Sequence, residues 1–210
     1  MLADSIAFGL HRRVEEIELE QAVRGLDACD ELMLHPIIAA GLTSSGYGVH
    51  REQRYPADHL KKRKSEGKRC DIVLTHGSTE LALPVDPAQP DLFDDEKKRT
   101  RPEDAYWMEV KTVAQFIEGR GNRAWASAIQ RPVWKDVEKL SQDPGIRHAG
   151  VLLVLFTLSR EVADHDLGVW MDRAMDHDLH FHAPLMRRIP LKDRWGNTLC
   201  TCALFPLPRL

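Results

Sequence analysis

The amino-acid sequence predicts an α/β fold in which helices flank a central mixed β-sheet. The run Gly150–Thr157 (GVLLVLFT) is apolar without alternation, as expected for a strand that is covered on both faces. Two earlier runs, Cys70–Thr75 (CDIVLT) and Ala105–Val113 (AYWMEVKTV), are rich in strand-forming residues. Between the second and the last of these strands, Val133 and Val137 have the spacing of a buried helical stripe.

The N-terminal part is predicted to be helical from Ser5 to about Leu42. Gly25 and Pro36 both interrupt this stretch, so that two helices and one kinked helix remain as alternatives. The sequence TSSG at Thr43–Gly46 predicts the end of the helix, and Tyr47–Tyr55 is predicted to be extended.

After the strand pair, a helix is predicted from Ala124 or from Pro132 to about Gln142. A second helix is predicted over Val162–Met175. The chain is expected to end in a hairpin over Leu191–Leu207, with its turn at Trp195-Gly-Asn.

The length of 210 residues suits one domain with a full core. We expect the core over about 28–157, an insertion loop over 76–104, and a C-terminal helix and hairpin as additions over 158–210. No apolar run approaches the length of a membrane span, and no secretory signal pattern is visible, so we expect a cytoplasmic protein with no membrane partner. Cys200 and Cys202 share one strand face and are expected to be buried thiols.

The net charge of −3 conceals two segments of opposite charge. Arg51–Arg69 has eight basic and three acidic residues, a charge of +5, whereas Asp86–Glu96 has five acids and no base. Lys61, Arg63 and Lys64 in the first segment are candidate phosphate contacts, with an ordinary solvated loop as the alternative. The acidic loop 86–96 would repel DNA, and it is either a gate or lies far from the site.

Three residues in two of the strands have the chemistry of a catalytic site. Glu109 and Lys111 are two apart and share a strand face, and Asp71 can meet Glu109 if the two strands pair. Two carboxylates can hold Mg²⁺, and an ammonium group can orient a water and stabilise developing charge. The carbonyl of Val110 is a further candidate oxygen ligand.

Asp71 followed by Glu109-Val110-Lys111 resembles the D…(D/E)xK signature of the PD-(D/E)xK nuclease superfamily. That superfamily includes restriction endonucleases, Holliday junction resolvases and phage-type exonucleases, and it has a restriction endonuclease-like αβββαβ core. The resemblance implies phosphodiester cleavage with Mg²⁺ (or Mn²⁺), Asp71 and Glu109 as metal ligands, and Lys111 near the nucleophilic water. Two features depart from the pattern: Cys70 stands where proline is usual, and the gap between Asp71 and Glu109 is long.

Many superfamily members place one more acidic residue on the first helix. Glu31 is a candidate for that role, and Glu52 is a candidate from the first strand. We expect Glu52 to be the additional metal ligand, because it would lie in the same sheet as Asp71.

Gln130 and Trp134 form a QxxxW sequence that is similar to the QxxxY element of the exonuclease branch. Gln130 and Lys135 are therefore candidate substrate contacts. Pro132 lies inside the element, and an ordinary helix start with a packed tryptophan is the alternative, as is a solvated lysine at position 135.

The sequence thus predicts a metal-dependent nuclease, with DNA as a more probable substrate than RNA. One alternative is an inactive member of the same fold that binds nucleic acid or protein. Another is an unrelated α/β domain, in which Asp71 and Glu109 would not meet. Whether the enzyme is an exonuclease or an endonuclease stays open, and so does the choice between a homodimer and an assembly with a partner protein.

Overall fold

A computed structural model of the chain describes residues 2–59, 67–82 and 99–208. The helices are α1 (Leu2–Leu19), α2 (Glu31–Ser44), α3 (Pro56–His59), α4 (Trp125–Gln142) and α5 (Arg160–Asp176). The strands are β1 (Gly48–Arg54), β2 (Arg69–Thr75), β3 (Glu80–Leu81), β4 (Arg99–Thr100), β5 (Tyr106–Ala114), β6 (Phe116–Ile117), β7 (Arg120–Gly121), β8 (His148–Thr157), β9 (Leu185–Pro190) and β10 (Leu199–Pro206).

Six strands form one mixed sheet in the order β1-β2-β5-β8-β10-β9. The central pair β5 and β8 is parallel, and every other neighbouring pair in this sheet is antiparallel. The helix α4 lies between β5 and β8 in the chain, as a connection between parallel strands requires. The predicted α/β fold with a mixed sheet flanked by helices is confirmed.

Helices cover both faces of the sheet. α1 and α2 pack on one face with Leu152 and Val154 of β8, and α4 and α5 pack on the other face with Val151 and Leu153. Each residue of β8 from Ala149 onward is buried, which explains why its sequence has no alternation.

The N-terminal region consists of two separate helices, with the break between Leu19 and Glu31. Asp30 begins α2 by accepting a hydrogen bond from the Met33 amide at 2.8 Å. Pro36 lies inside α2 and does not end it, because the buried residues Leu34 and Ile38 hold this helix against the sheet. The fold therefore decides between the two alternatives that the sequence left open.

The predicted C-terminal hairpin is confirmed, although its first strand lies earlier in the chain than expected. β9 begins at Leu185 and pairs antiparallel with β10, and the connection contains Trp195-Gly-Asn. Cys200 and Cys202 are free and buried, as expected. In the region expected as an insertion, β3 and β4 form a short parallel pair, while 83–98 lies outside the described residues and with it the acidic loop.

None of the helices in the described parts of the chain is both long enough and apolar enough to cross a membrane.

The close contact of α1 with α2 generates a stability prediction. A Cβ added to Gly41 would lie 2.4 Å from the Ser5 carbonyl oxygen and 2.8 Å from the Gly9 Cα. We therefore expect Gly41→Ala to lower the free energy of unfolding by about 1–3 kcal/mol, because the two helices must move apart. Denaturant-induced unfolding at equilibrium measures this change.

The matched control is Gly168→Ala in α5, where an added Cβ meets no atom within 4 Å. Alanine should stabilise this helix by roughly 0.5–1 kcal/mol, because it restricts the unfolded chain more than glycine does. Equal effects of the two substitutions would show that α1 and α2 do not cross as closely as described.

Candidate functional site

The candidate site lies where β2 separates from β5. The two strands pair at Leu74–Tyr106, Val73–Trp107 and Ile72–Met108, and the pairing ends there. On its other side β2 pairs with β1, and this pairing is interrupted at Glu52 and Asp71. These two residues face each other without pairing, whereas the residues before and after them are paired. This interruption changes the direction of the side chains along β2. Cys70 and Ile72 are two residues apart, yet they pack on opposite faces of the sheet.

Two carboxylates replace the missing strand partner of β5. The Val110 amide donates to Asp71 Oδ2 at 2.8 Å, and the Thr112 amide donates to Glu31 Oε2 at 3.3 Å. Glu31 comes from the first turn of α2, just after its cap. Backbone amides that would otherwise lack acceptors therefore fix Asp71 and Glu31 along one edge of β5.

Glu109 is the most deeply buried carboxyl group of the site, with 2% of its surface exposed. Its Oε1 accepts hydrogen bonds from the Tyr55 hydroxyl and, at 2.9 Å, from Lys139 Nζ. Burial and the neighbouring Asp71 carboxyl, with which it shares a hydrogen bond, raise the pKa of Glu109 to about 7, although Lys139 and Tyr55 oppose the rise. Burial also raises the pKa of Asp71, although the hydrogen bond with Glu109 opposes that rise.

Lys111 is held between two acids from different helices. Its Nζ lies 2.9 Å from Glu31 Oε1 and 3.4 Å from Asp136 Oδ2, and it donates to the Val110 carbonyl oxygen at 3.1 Å. Burial lowers the pKa of Lys111, but the charges of Asp136, Glu31 and Asp71 outweigh burial, so that its pKa is raised overall. Lys111 therefore remains an ammonium ion at physiological pH.

Asp136 joins this lysine to a second one. Asp136 is buried in α4, and its Oδ1 lies 2.6 Å from Nζ of Lys139, which is three residues further along the helix. Lys139 contacts Glu109 as well, so one chain of ionic contacts runs from Glu31 through Lys111, Asp136 and Lys139 to Glu109.

Glu31, His35 and Asp71 form a possible metal-binding group, in which one ligand atom from each lies within 4.8 Å of the others. His35 follows Glu31 by four residues, hence on the same face of α2. His35 is buried, and burial lowers its pKa despite the nearby Glu31 and Glu52 carboxylates, so that the imidazole is neutral and able to bind a cation. Its Nε2 has no hydrogen-bond partner among the residues that the structure describes.

Glu52, which we expected as the additional ligand, is not a member of this group. It lies in the same sheet as Asp71, as expected, but its φ of 55° is in the left-handed region, which is unusual within a strand. Its Oε1 lies 3.7 Å from His35 Nδ1. Glu31 is the acid that lies beside Lys111 and Asp71, whereas Glu52 lies beside the imidazole of His35.

The expected substrate contacts fall in three places. Lys135 is exposed and lines an open cavity of about 490 Å³ that Lys111 and Lys139 also line. Gln130 instead lines a groove between α4 and α5 with Trp125 and Asp166, because it lies on another face of α4. Lys61, Arg63 and Lys64 lie outside the described residues.

Reasoning from the sequence missed four residues of the site: Tyr55, His35, Asp136 and Lys139. One of them left a signal, because Asp136 interrupts the apolar stripe of Val133, Val137 and Leu140 with a charged group. His35 and Lys139 are separated from Glu31 and Asp136 by one helical turn, a spacing too common to single them out. Tyr55 left no signal.

The raised pKa of Glu109 predicts how stability depends on pH. The folded protein binds this proton more tightly than the unfolded chain does, so the free energy of unfolding should fall as pH rises from about 4.5 to about 7. The Glu109 contribution amounts to at most about 3 kcal/mol over that range. Glu109→Gln should flatten the profile, as measured by chemical unfolding in the presence of a chelator.

The control for the pH profile is Glu15→Gln, which removes an exposed carboxylate from α1. It should keep the slope of the unmodified protein. If Glu109→Gln keeps that slope too, Glu109 does not hold a proton in the folded state at pH 6.

No family model, no curated protein and no solved structure matches this chain at a significant level. The site is therefore interpreted from its own geometry and chemistry.

Proposed function

We propose that the chain is a metal-dependent nuclease that hydrolyses phosphodiester bonds, in DNA rather than RNA. The observation that carries the proposal is the meeting of Asp71, Glu109 and Lys111 at the point where β2 leaves β5. An unrelated domain with purely structural acids gives no reason for these three residues to meet.

The order of the elements supports the resemblance to the PD-(D/E)xK superfamily. Apart from the short elements α3, β3, β4, β6 and β7, the chain runs from α2 to β8 as helix, three strands, helix and strand, and these four strands are adjacent in the sheet in that order. The restriction endonuclease-like core is part of the proposal, and the antiparallel β1-β2-β5 meander followed by a parallel β8 is what argues for it.

The charges and donor atoms of the site suit a divalent cation. Four carboxyl groups (Glu31, Asp71, Glu109 and Asp136) surround two ammonium groups (Lys111 and Lys139), which leaves a net charge of −2 when all are ionised. The buried Nε2 of His35 without a partner adds a nitrogen donor. Glu31, His35, Asp71 and Glu109 would hold the ion, which would neutralise phosphate charge and lower the pKa of a bound water.

Lys111 has a positioning and electrostatic role in this proposal. Because its pKa is raised, it does not act as a general base. Its ammonium group lies against the Val110 carbonyl oxygen and Glu31, where it can donate to a water or to a phosphate oxygen as negative charge develops.

Glu109 has to be ionised before it can act as a ligand, and burial raises its pKa. Lys139 and the Tyr55 hydroxyl both contact Glu109 and favour its ionised form, whereas burial disfavours it. Tyr55 itself stays a phenol, because burial and the Glu109 charge raise its pKa. Glu109 thus receives hydrogen bonds from α4 and from the residue that joins β1 to α3.

The test is cleavage of single-stranded, double-stranded and branched DNA with Mg²⁺ or Mn²⁺. Asp71→Asn, Glu109→Gln and Lys111→Met should each lower the rate at least about 100-fold, because each removes a charge that the transition state needs. Asp178→Asn is the matched control, because this carboxylate lies at 94% exposure far along the chain from the site.

The outcomes separate the alternatives. Cleavage that survives a chelator, or that Asp71→Asn leaves intact, would overturn the nuclease assignment to this site. Binding of DNA without any cleavage would favour the inactive member of the fold.

His35 generates a separate prediction about metal binding. His35→Ala should weaken Mn²⁺ binding by about tenfold or more and Mg²⁺ binding by less, because Mg²⁺ prefers oxygen ligands. Titration calorimetry measures both, and His180→Ala at an exposed position is the control. Equal Mn²⁺ affinity in the two variants would exclude the imidazole from the metal-binding group.

A further inference from the structure

An open cavity of about 490 Å³ lies beside the proposed catalytic residues. Its charged lining residues come from β5, from α4 and from the residue before β2. They are Lys68, Lys111, Lys135, Lys139, Asp136 and Glu138. Lys111, Lys139 and Asp136 also belong to the carboxyl-rich group next to the cavity, and the other three charged residues, Lys68, Lys135 and Glu138, give the rest of the lining a charge of +1.

Two of the lysines are held by ion pairs, and two are exposed. Lys111 and Lys139 flank Asp136 at 3.4 Å and 2.6 Å, and each also contacts a further carboxyl group at 2.9 Å, Glu31 and Glu109 respectively. Lys68 and Lys135 are exposed at the rim. Such an arrangement offers two positioned cations and two exposed ones to an anion that enters from solvent.

A second, smaller cavity of about 200 Å³ shares Lys68 and Lys139 with the first. It is lined in addition by Asp58 and Asp143, which make it less favourable for an anion. The larger cavity, with four lysines and two acids in its lining, is therefore the more favourable of the two for an anion.

We propose that the larger cavity is a phosphate subsite for a nucleic-acid strand, in which Lys139 is a second phosphate-binding cation beside Lys111. This inference rests on the proposed nuclease function, because it assumes that the neighbouring group is catalytic. It adds Lys68 and Lys139 to the substrate contacts and gives Lys135 a defined place at the rim.

Lys139 contacts Glu109 and also lines the larger cavity. Its side chain is 25% exposed, and its Nζ lies 2.9 Å from Glu109 Oε1. A lysine ammonium is a compact charge on a flexible stem, so the same group can balance Glu109 in the free protein and contact a phosphate when a strand is bound. Lys139 thereby links substrate binding to the charge state of the carboxyl pair.

The test is the salt dependence of binding, measured by fluorescence anisotropy with a labelled 12-nucleotide oligothymidylate. A chelator is present throughout, so that no metal contributes to binding and no cleavage is expected. Each lysine that contacts a phosphate should contribute about 0.7 to the slope of log K against log salt concentration. Lys68→Gln, Lys135→Gln and Lys139→Gln should each reduce the slope by about that amount.

The matched control is Lys192→Gln, at an exposed lysine that pairs with Glu18 on α1. It should leave the slope unchanged. Lys139→Arg keeps the charge and should keep the slope, which separates loss of a phosphate contact from loss of structure around Glu109.

The subsite would be overturned if all three cavity variants gave the same slope as Lys192→Gln. It would also be overturned if the unmodified protein did not bind the oligothymidylate. Lys68→Gln and Lys135→Gln alter exposed side chains, so they keep the test decisive even if Lys139→Gln does not fold. Metal-dependent cleavage that persists despite unchanged slopes would refute the subsite alone, whereas cleavage that fails with slopes reduced as expected would refute only the nuclease function.

Discussion

The separation of β2 from β5 after the Ile72–Met108 pair is the constraint on which the candidate site depends. A strand that loses its neighbour exposes backbone amides, and buried amides require acceptors. Here the acceptors are the carboxylates of Asp71 and Glu31, which bind the amides of Val110 and Thr112. The backbone therefore gathers acidic side chains at one point of the sheet, and all further contacts of the site follow from this.

Gathering acids in a partly buried place raises an electrostatic problem that the protein solves with lysines. Lys111 and Lys139 lie between the carboxylates, and Asp136 holds both of them. The balance remains incomplete, since burial still raises the pKa values of Asp71 and Glu109, and the Asp71 carboxyl raises that of Glu109 further. A site of this kind lowers the stability of the free protein and gains stability when a cation or an anion of the right charge binds.

The same arrangement gives the surface two adjoining regions that share Lys111 and Lys139. The carboxyl groups and His35 form one region, which suits a divalent cation. The four lysines of the neighbouring cavity form the other, which suits phosphate. A metal ion and a phosphodiester would then bind side by side, with Lys111 and Lys139 at the boundary between them.

The sequence by itself predicted the strands β2, β5 and β8, the burial of β8, and the candidate set Asp71, Glu109 and Lys111, because apolar runs and strand alternation are local properties. Only the tertiary structure placed Glu31 rather than Glu52 beside Lys111, because the docking of α2 on the sheet brings Glu31 to that ammonium group. The tertiary structure alone also revealed the roles of Tyr55, Asp136 and Lys139, because they contact Glu109 or Lys111 from other parts of the chain. Such contacts depend on how helices pack across the sheet, and no short-range pattern encodes that packing.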